Sequence, residues 1–123
     1  MFGFSNTKDK AREDMFKDMQ VAHRGCIYEF IEKSGEHKND VLVVSSEGRS
    51  HDKLVSIIMI GDDPSGYDVV AINYNGCERY VHRELVTYCH RKRLGKCIAK
   101  VDKNTMIDID LGLTRGLGLS EYL

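Results

Sequence analysis

No stretch of this 123-residue chain approaches the ~20 consecutive apolar residues that span a bilayer, so no membrane role is expected. The N-terminus does not read as a signal peptide either, because Lys8, Asp9, Lys10, Arg12, Glu13 and Asp14 crowd where an apolar segment would be needed. A cytoplasmic protein is expected. The four cysteines, Cys26, Cys77, Cys89 and Cys97, contain no C-x-x-C pair, and a chain this long can fold without disulfides. They read as free thiols, and Cys89, His90 and Cys97 lack the paired spacing of a zinc site, so no metal or other cofactor is expected. Internal repeats, low-complexity tracts and inter-domain linkers are also missing. The length fits a single domain.

The charge, a formal net -1, is not evenly spread. Between Tyr80 and Lys100 apolar and cationic residues alternate, then run into His90, Arg91, Lys92 and Arg93. With Arg79, Arg83, Lys96 and Lys100, these cations face only Glu84 as an acid, which gives the local positive field of a polyanion-binding surface.

Apolar residues at Ala11, Met15, Phe16 and Met19 predict an amphipathic helix over residues 5 to 20, capped by Ser5, Asn6 or Thr7. From Gly25 the pattern turns to β. Cys26 to Ile31 predicts a first strand ending at Ser34 and Gly35, and a polar loop is expected from Glu36 to Asp40. Val41 to Val44 and Leu54 to Ile60 are nearly continuous apolar runs rich in β-branched residues, which predicts the buried centre of a sheet. Gly61 to Gly66 forms a turn cluster in which Asp62 and Asp63 act as turn formers. Tyr67 to Tyr74 predicts another strand, closed by Asn75 and Gly76, a strong hairpin signal; Tyr80 and Val81 lie on the returning strand. Cys97 to Val101 predicts a last short strand. Asp102 then caps a C-terminal helix with Val101 and Met106 as its staple and Ile109, Leu113 and Leu117 on its apolar face. The order describes a mainly β (α+β) chain: about six antiparallel strands in a small curved sheet or barrel, with an N-terminal helix and a C-terminal helix.

Four segments resemble one family. His23-Arg24-Gly25 followed by Cys26-Ile27-Tyr28 is similar to the R-G-[DE]-[IV]-[YW] opening of the MazF/PemK (Kid) toxin endoribonucleases, and Val41 to Ser45 to its V-L-V-V-S strand. Leu85 to Gly95 resembles its segment ending in R-L-G, and Ile107 to Leu119 its closing helix. The resemblance divides the chain into an N-terminal extension over 1–21 and a MazF/PemK-like domain over 22–123. It implies an SH3-like barrel, a homodimer, metal-free sequence-specific cleavage of single-stranded mRNA, and neutralisation by an antitoxin peptide or protein.

At two positions the chain departs from the family pattern. Asn39 and Asp40 stand where many members carry Arg-Pro, and Gly61 where many carry threonine or serine. Against these stand His37, similar in place to the Kid-type loop histidine, and His82 with Glu84, which fall on the Kid-type Arg-x-Asp. Two readings follow, a toxin ribonuclease and a catalytically impaired module that binds RNA or a protein partner without cutting.

Metal-free RNA cleavage needs a base for the ribose 2′-hydroxyl, an acid for the departing 5′-oxygen and positive charge at the phosphate. The catalytic candidates are Glu84 as base and His37 or His82 as acid; Arg24 or Arg83 would hold the scissile phosphate, and Arg91, Lys92 and Arg93 the RNA backbone. Strand alternation predicts that His82 and Glu84 share one face while Arg83 lies on the other.

Overall fold

Runs of β-branched residues bounded by polar turns become strands here, and the residues described in this computed structural model, 19–118, contain six strands and one α-helix. They are β1 (Cys26–Ile31), β2 (His37–Val43), β3 (Leu54–Gly61), β4 (Val69–Tyr74), β5 (Cys77–His90), β6 (Leu94–Lys100) and α1 (Lys103–Gly116). All neighbouring pairs are antiparallel, in the order β4-β5-β3-β2-β1-β6, so the apolar strands β2 and β3 lie at the centre as predicted. The sheet is open: its edge strands β4 and β6 do not pair to close a barrel. The helix expected over residues 5 to 20 lies outside the described residues except for Met19 and Gln20, which are not helical.

Both faces of the sheet bury apolar side chains, which explains why the central strands read as continuous rather than alternating. Leu42, Ile58, Ile60 and Val81 pack with Val101, Met106 and Ile109 under α1. Tyr28, Val41, Val43, Val55 and Ile57 form the opposite cluster with Ala22, Cys26 and Leu94. Each fully buried residue of this size contributes roughly 1.5–3 kcal/mol.

Local chemistry sets the connections. Asn75 (φ 52°) and Gly76 (φ 78°) both take left-handed backbone, the two-residue turn that suits a twisted hairpin. The Asp102 carboxylate accepts from the Thr105 N–H at 3.1 Å and caps α1, with Val101 and Met106 joined in the helix-side core. The carboxylate of Asp63 accepts from the N–H and hydroxyl of Ser65, the turn-forming role expected of it.

Three expectations are corrected. Residues 37–40 are not a loop: the connection turns at Gly35 (φ 88°), and His37, Asn39 and Asp40 pair with Ile31, Phe30 and Glu29 as part of β2. Backbone pairing decides this, and it is indifferent to the polarity of those side chains. The strand predicted from Tyr67 begins at Val69. Arg91, expected on an RNA-binding surface, is only 3 % exposed, and its guanidinium donates to the carbonyls of Gln20 and Asp52 at 3.0 and 3.1 Å. It clamps the 19–22 segment to the body of the domain.

Candidate active site

Strand β5 is fourteen residues long, pairs with both β3 and β4, and is irregular against β3. Ile60 of β3 faces Val81 whereas Ile58 faces Val86, so β5 carries three extra residues against β3 between those pairs. Such a bulge re-aims side chains. His82, Arg83, Glu84 and Leu85 occupy it, and the Arg83 N–H is tied to the Asp68 carbonyl at 2.9 Å.

Within the bulge the predicted alternation holds. The Arg83 guanidinium, nine-tenths buried, crosses to α1, where it donates to the Asp108 carbonyl at 2.8 Å and pairs with Asp68. A Cβ on Gly112 would lie 2.5 Å from its Cδ and Cζ, so the glycine in the middle of α1 is the notch through which this arginine passes. His82 turns the other way, and Glu84, which also borders the cavity beside Arg83 and α1, pairs with it. His82 Nδ1 lies 3.4 Å from Glu84 Oε1, with the two side chains 12 % and 31 % exposed.

The glycine at position 61 lies against that ring. A Cβ there would sit 3.7 Å from His82 Nε2, in ordinary van der Waals contact, so His82 stands beside the position where many relatives of this pattern carry a threonine or serine. Gly66 closes the other side: a Cβ on it would come within 2.9 Å of Glu84 Oε1 and 3.0 Å of His82 Nδ1. Glu84 is pushed up by burial, but hydrogen bonds from its own N–H and from His82, with that ring's charge, outweigh burial and hold it below the ordinary glutamate range. The result is a carboxylate bound to one ring nitrogen, with the second nitrogen over a side-chain-free position. That is the arrangement of an oriented acid–base histidine.

His37 is not part of this pair. Asp40 pairs with Ile60 and Ile60 with Val81, so Asp40 shares the α1-side face with them, while His82 is one residue beyond Val81 and faces away. His37 sits with Asp40, its Nε2 2.8 Å from Asp40 Oδ1 and its Nδ1 3.0 Å from Glu29 Oε2. Asp40, itself buried, also accepts from the Tyr74 hydroxyl at 2.5 Å and lies 3.8 Å from Arg79, which is 2.8 Å from Asp62. Burial first, then the Asp40 carboxylate, push the Tyr74 phenol far up. This network ties β1, β2, β4 and β5 together through charge. Residue reading missed it, although Asp40 in step with Leu42 and Val44 was a signal that a carboxylate would enter the α1-side face.

The cations divide in the same way. Arg24 donates to the Val44 carbonyl and pairs with Asp110, a structural engagement like those of Arg83 and Arg91. Lys92 is exposed and Arg93 half-exposed on the short turn after β5. Burial, followed by the charges of Lys92, Lys53, Arg91 and Arg93, pushes His90 below the ordinary histidine range, a direct sign of the positive field read from the sequence. Among the described residues no group of three or more His, Cys, Asp or Glu is placed to hold a metal ion, and no helix is long and apolar enough to cross a membrane.

No protein-family model matches the chain, and no curated protein does. Solved structures do match. A mycobacterial endoribonuclease is similar with a TM-score of 0.68 at 22% identity, covering 82% of this chain and 95% of that one. A mycobacterial endoribonuclease in complex with its cognate antitoxin has a TM-score of 0.67 at 24% identity, covering 81% and 96%. MazF in a MazE-MazF crystal structure from Deinococcus radiodurans reaches 0.69 at 18% identity, covering 80% and 96%. The fold of this chain is that of the MazF endoribonuclease structures, nearly end to end on their side.

Proposed function

We propose that this chain is the toxin of a toxin–antitoxin pair, a MazF-like endoribonuclease that cuts single-stranded mRNA. The observation that carries the proposal is the fold match over nearly the whole length of solved MazF chains, joined to an acid–base pair set at the position of the missing threonine. In this reading His82 Nε2 takes the 2′-hydroxyl proton, and Glu84 orients the ring and holds its charge. The 2′-oxygen then attacks phosphorus, the bond to the 5′-oxygen breaks, and that oxygen leaves with a proton from solvent water while His82 returns its own to solvent, giving a 2′,3′-cyclic phosphate and a 5′-hydroxyl.

Glu84 thus acts through His82 rather than as a separate base, since the two lie 3.4 Å apart and in-line displacement needs base and acid on opposite sides of phosphorus. His37, on the other face, orders the sheet rather than joining the reaction. Lys92 and Arg93 stand on the turn beyond β5, whose stretch from Val81 to His90 runs alongside only Ile60 to Leu54 of β3, roughly 20 Å, and they would hold RNA several nucleotides from the cut. The exposed Leu85 and Tyr88 on β5 and Ile107 and Leu111 on α1 are apolar surface for a second copy or for the antitoxin.

The test is incubation of the purified chain with a long single-stranded RNA in EDTA, with new ends mapped by primer extension. Discrete cuts bearing 2′,3′-cyclic phosphates are expected. Intact RNA with retained, salt-sensitive binding would instead favour the binding module that does not cut.

A further inference from the structure

The last turns of α1 and the bulge of β5 enclose a cavity of about 340 Å³. Its walls include the apolar Val86, Leu113 and Leu117, and the acidic residues Asp68 and Glu84 line it as well. Arg83 forms part of the lining, held by the Asp108 carbonyl and Asp68, while its buried Nε finds no hydrogen-bond partner. Tyr67 borders the cavity and is 100 % exposed. An aromatic ring left in water beside an apolar slot is a stacking platform without its partner.

The chemistry of the lining defines the occupant. Apolar walls and an exposed phenol ring suit a planar heterocycle, and the volume is at the lower end of small-ligand sites. Carboxylates accept hydrogen bonds and donate none, so the edge of the ligand must carry N–H groups. Glu84 belongs both to this cavity and to the His82 pair, which puts the occupant next to the reacting phosphate.

We propose that this cavity is a nucleobase subsite of the RNA site, taking a base with an exocyclic amino group. The ring stacks on Tyr67 and lies between Leu113 and Leu117, with its amino N–H directed at Asp68 or Glu84. Uracil, whose single N3–H is flanked by two carbonyl oxygens that face those carboxylates, is disfavoured. The proposal rests on the ribonuclease reading for the identity of the polymer, but the subsite can be probed without cleavage.

Gly116 supplies a clean blocking variant, because a Cβ there meets nothing within 4 Å and the position lines the cavity. The 5′-monophosphates of adenosine, cytidine, guanosine and uridine are titrated into the full chain, and amide shifts are followed by NMR. Shifts confined to Tyr67, Val86, Leu113 and Leu117 are expected, at least about threefold weaker binding for the uridine nucleotide, and loss of the shifts in Gly116→Leu and Tyr67→Ala. In the cleavage map one position beside the cut should carry an amino-bearing base, a preference that Gly116→Leu erases. Equal binding of all four nucleotides, shifts elsewhere, or unchanged binding in both variants overturns the subsite. Nucleotide binding at these residues in a chain that leaves RNA intact keeps the subsite and removes the ribonuclease reading. Cleavage with no nucleotide shifts and no change of site preference in Gly116→Leu does the reverse.

Discussion

Replacing glycine by alanine inside a helix normally stabilises a protein by up to ~1 kcal/mol, and Gly112 should do the opposite. The new methyl would stand 2.5 Å from Arg83 Cδ and Cζ, in space the guanidinium needs for its bonds to Asp68 and the Asp108 carbonyl. Hydrogen bonds to a charged group contribute about 1.5–3 kcal/mol, so displacing Arg83 outweighs the gain in helix propensity and leaves a net loss of about 0.5–2 kcal/mol. Gly116, whose added methyl meets nothing, is the control and should gain stability on becoming alanine. A further comparison isolates the cause: in an Arg83→Ala background the clash is gone, and Gly112→Ala should turn stabilising. Urea denaturation of the four variants reads all of this. Gly112→Ala raising the midpoint as much as Gly116→Ala in the parent chain would refute the notch.

Other expectations are simpler to test. The Tyr28 hydroxyl donates to the Val21 carbonyl at 2.6 Å and accepts from the His23 N–H at 2.9 Å, so Tyr28→Phe should cost about 1–3 kcal/mol in urea denaturation. A loss below about 0.5 kcal/mol would mean that water replaces both bonds. Because burial and surrounding cations depress His90 in the folded state, the unfolded chain binds the extra proton more tightly; this group therefore adds stability as pH rises toward the ordinary value of about 6.5. Lys53→Gln should move the His90 NMR titration back up, and an unmoved titration would remove Lys53 from the field. Burial pushes the Cys89 thiol up to about 11 and raises Cys26 as well, so iodoacetamide at pH 8 should label the exposed Cys77 and Cys97 first, read by mass spectrometry. Early labelling of Cys89 would contradict its burial.

The parts of the fold that sequence could reveal are those set by neighbours along the chain. Asn75-Gly76 announces its turn because two successive left-handed residues are needed there, and Asp102 announces a helix because its carboxylate reaches only three residues on. The central strands were readable because burial on both faces leaves no polar alternation. Pairings between distant residues were not. His37 reads as a loop residue until its backbone is seen paired with β1, and Arg91 reads as a surface cation until the carbonyls of Gln20 and Asp52 are found around it. Gly61 looked like a lost catalytic side chain, whereas in space it is the neighbour of the His82 ring. The alternation that paired His82 with Glu84 and set Arg83 apart needed only the period of a strand; it holds for these three residues and slips before Val86, which returns to the face of Val81.

The most direct test of the account compares cleavage rates of one RNA by the parent chain, His82→Ala, Glu84→Gln and His37→Ala, each checked for its fold by circular dichroism. Acid–base groups of this kind supply about 10²–10⁴-fold in rate. The account predicts a loss of that size in His82→Ala, a clear loss in Glu84→Gln, and cleavage by His37→Ala that keeps its site preference and stays within about tenfold of the parent. Full activity in His82→Ala, with activity abolished in a folded His37→Ala, would place the chemistry on the other face of the sheet and contradict it.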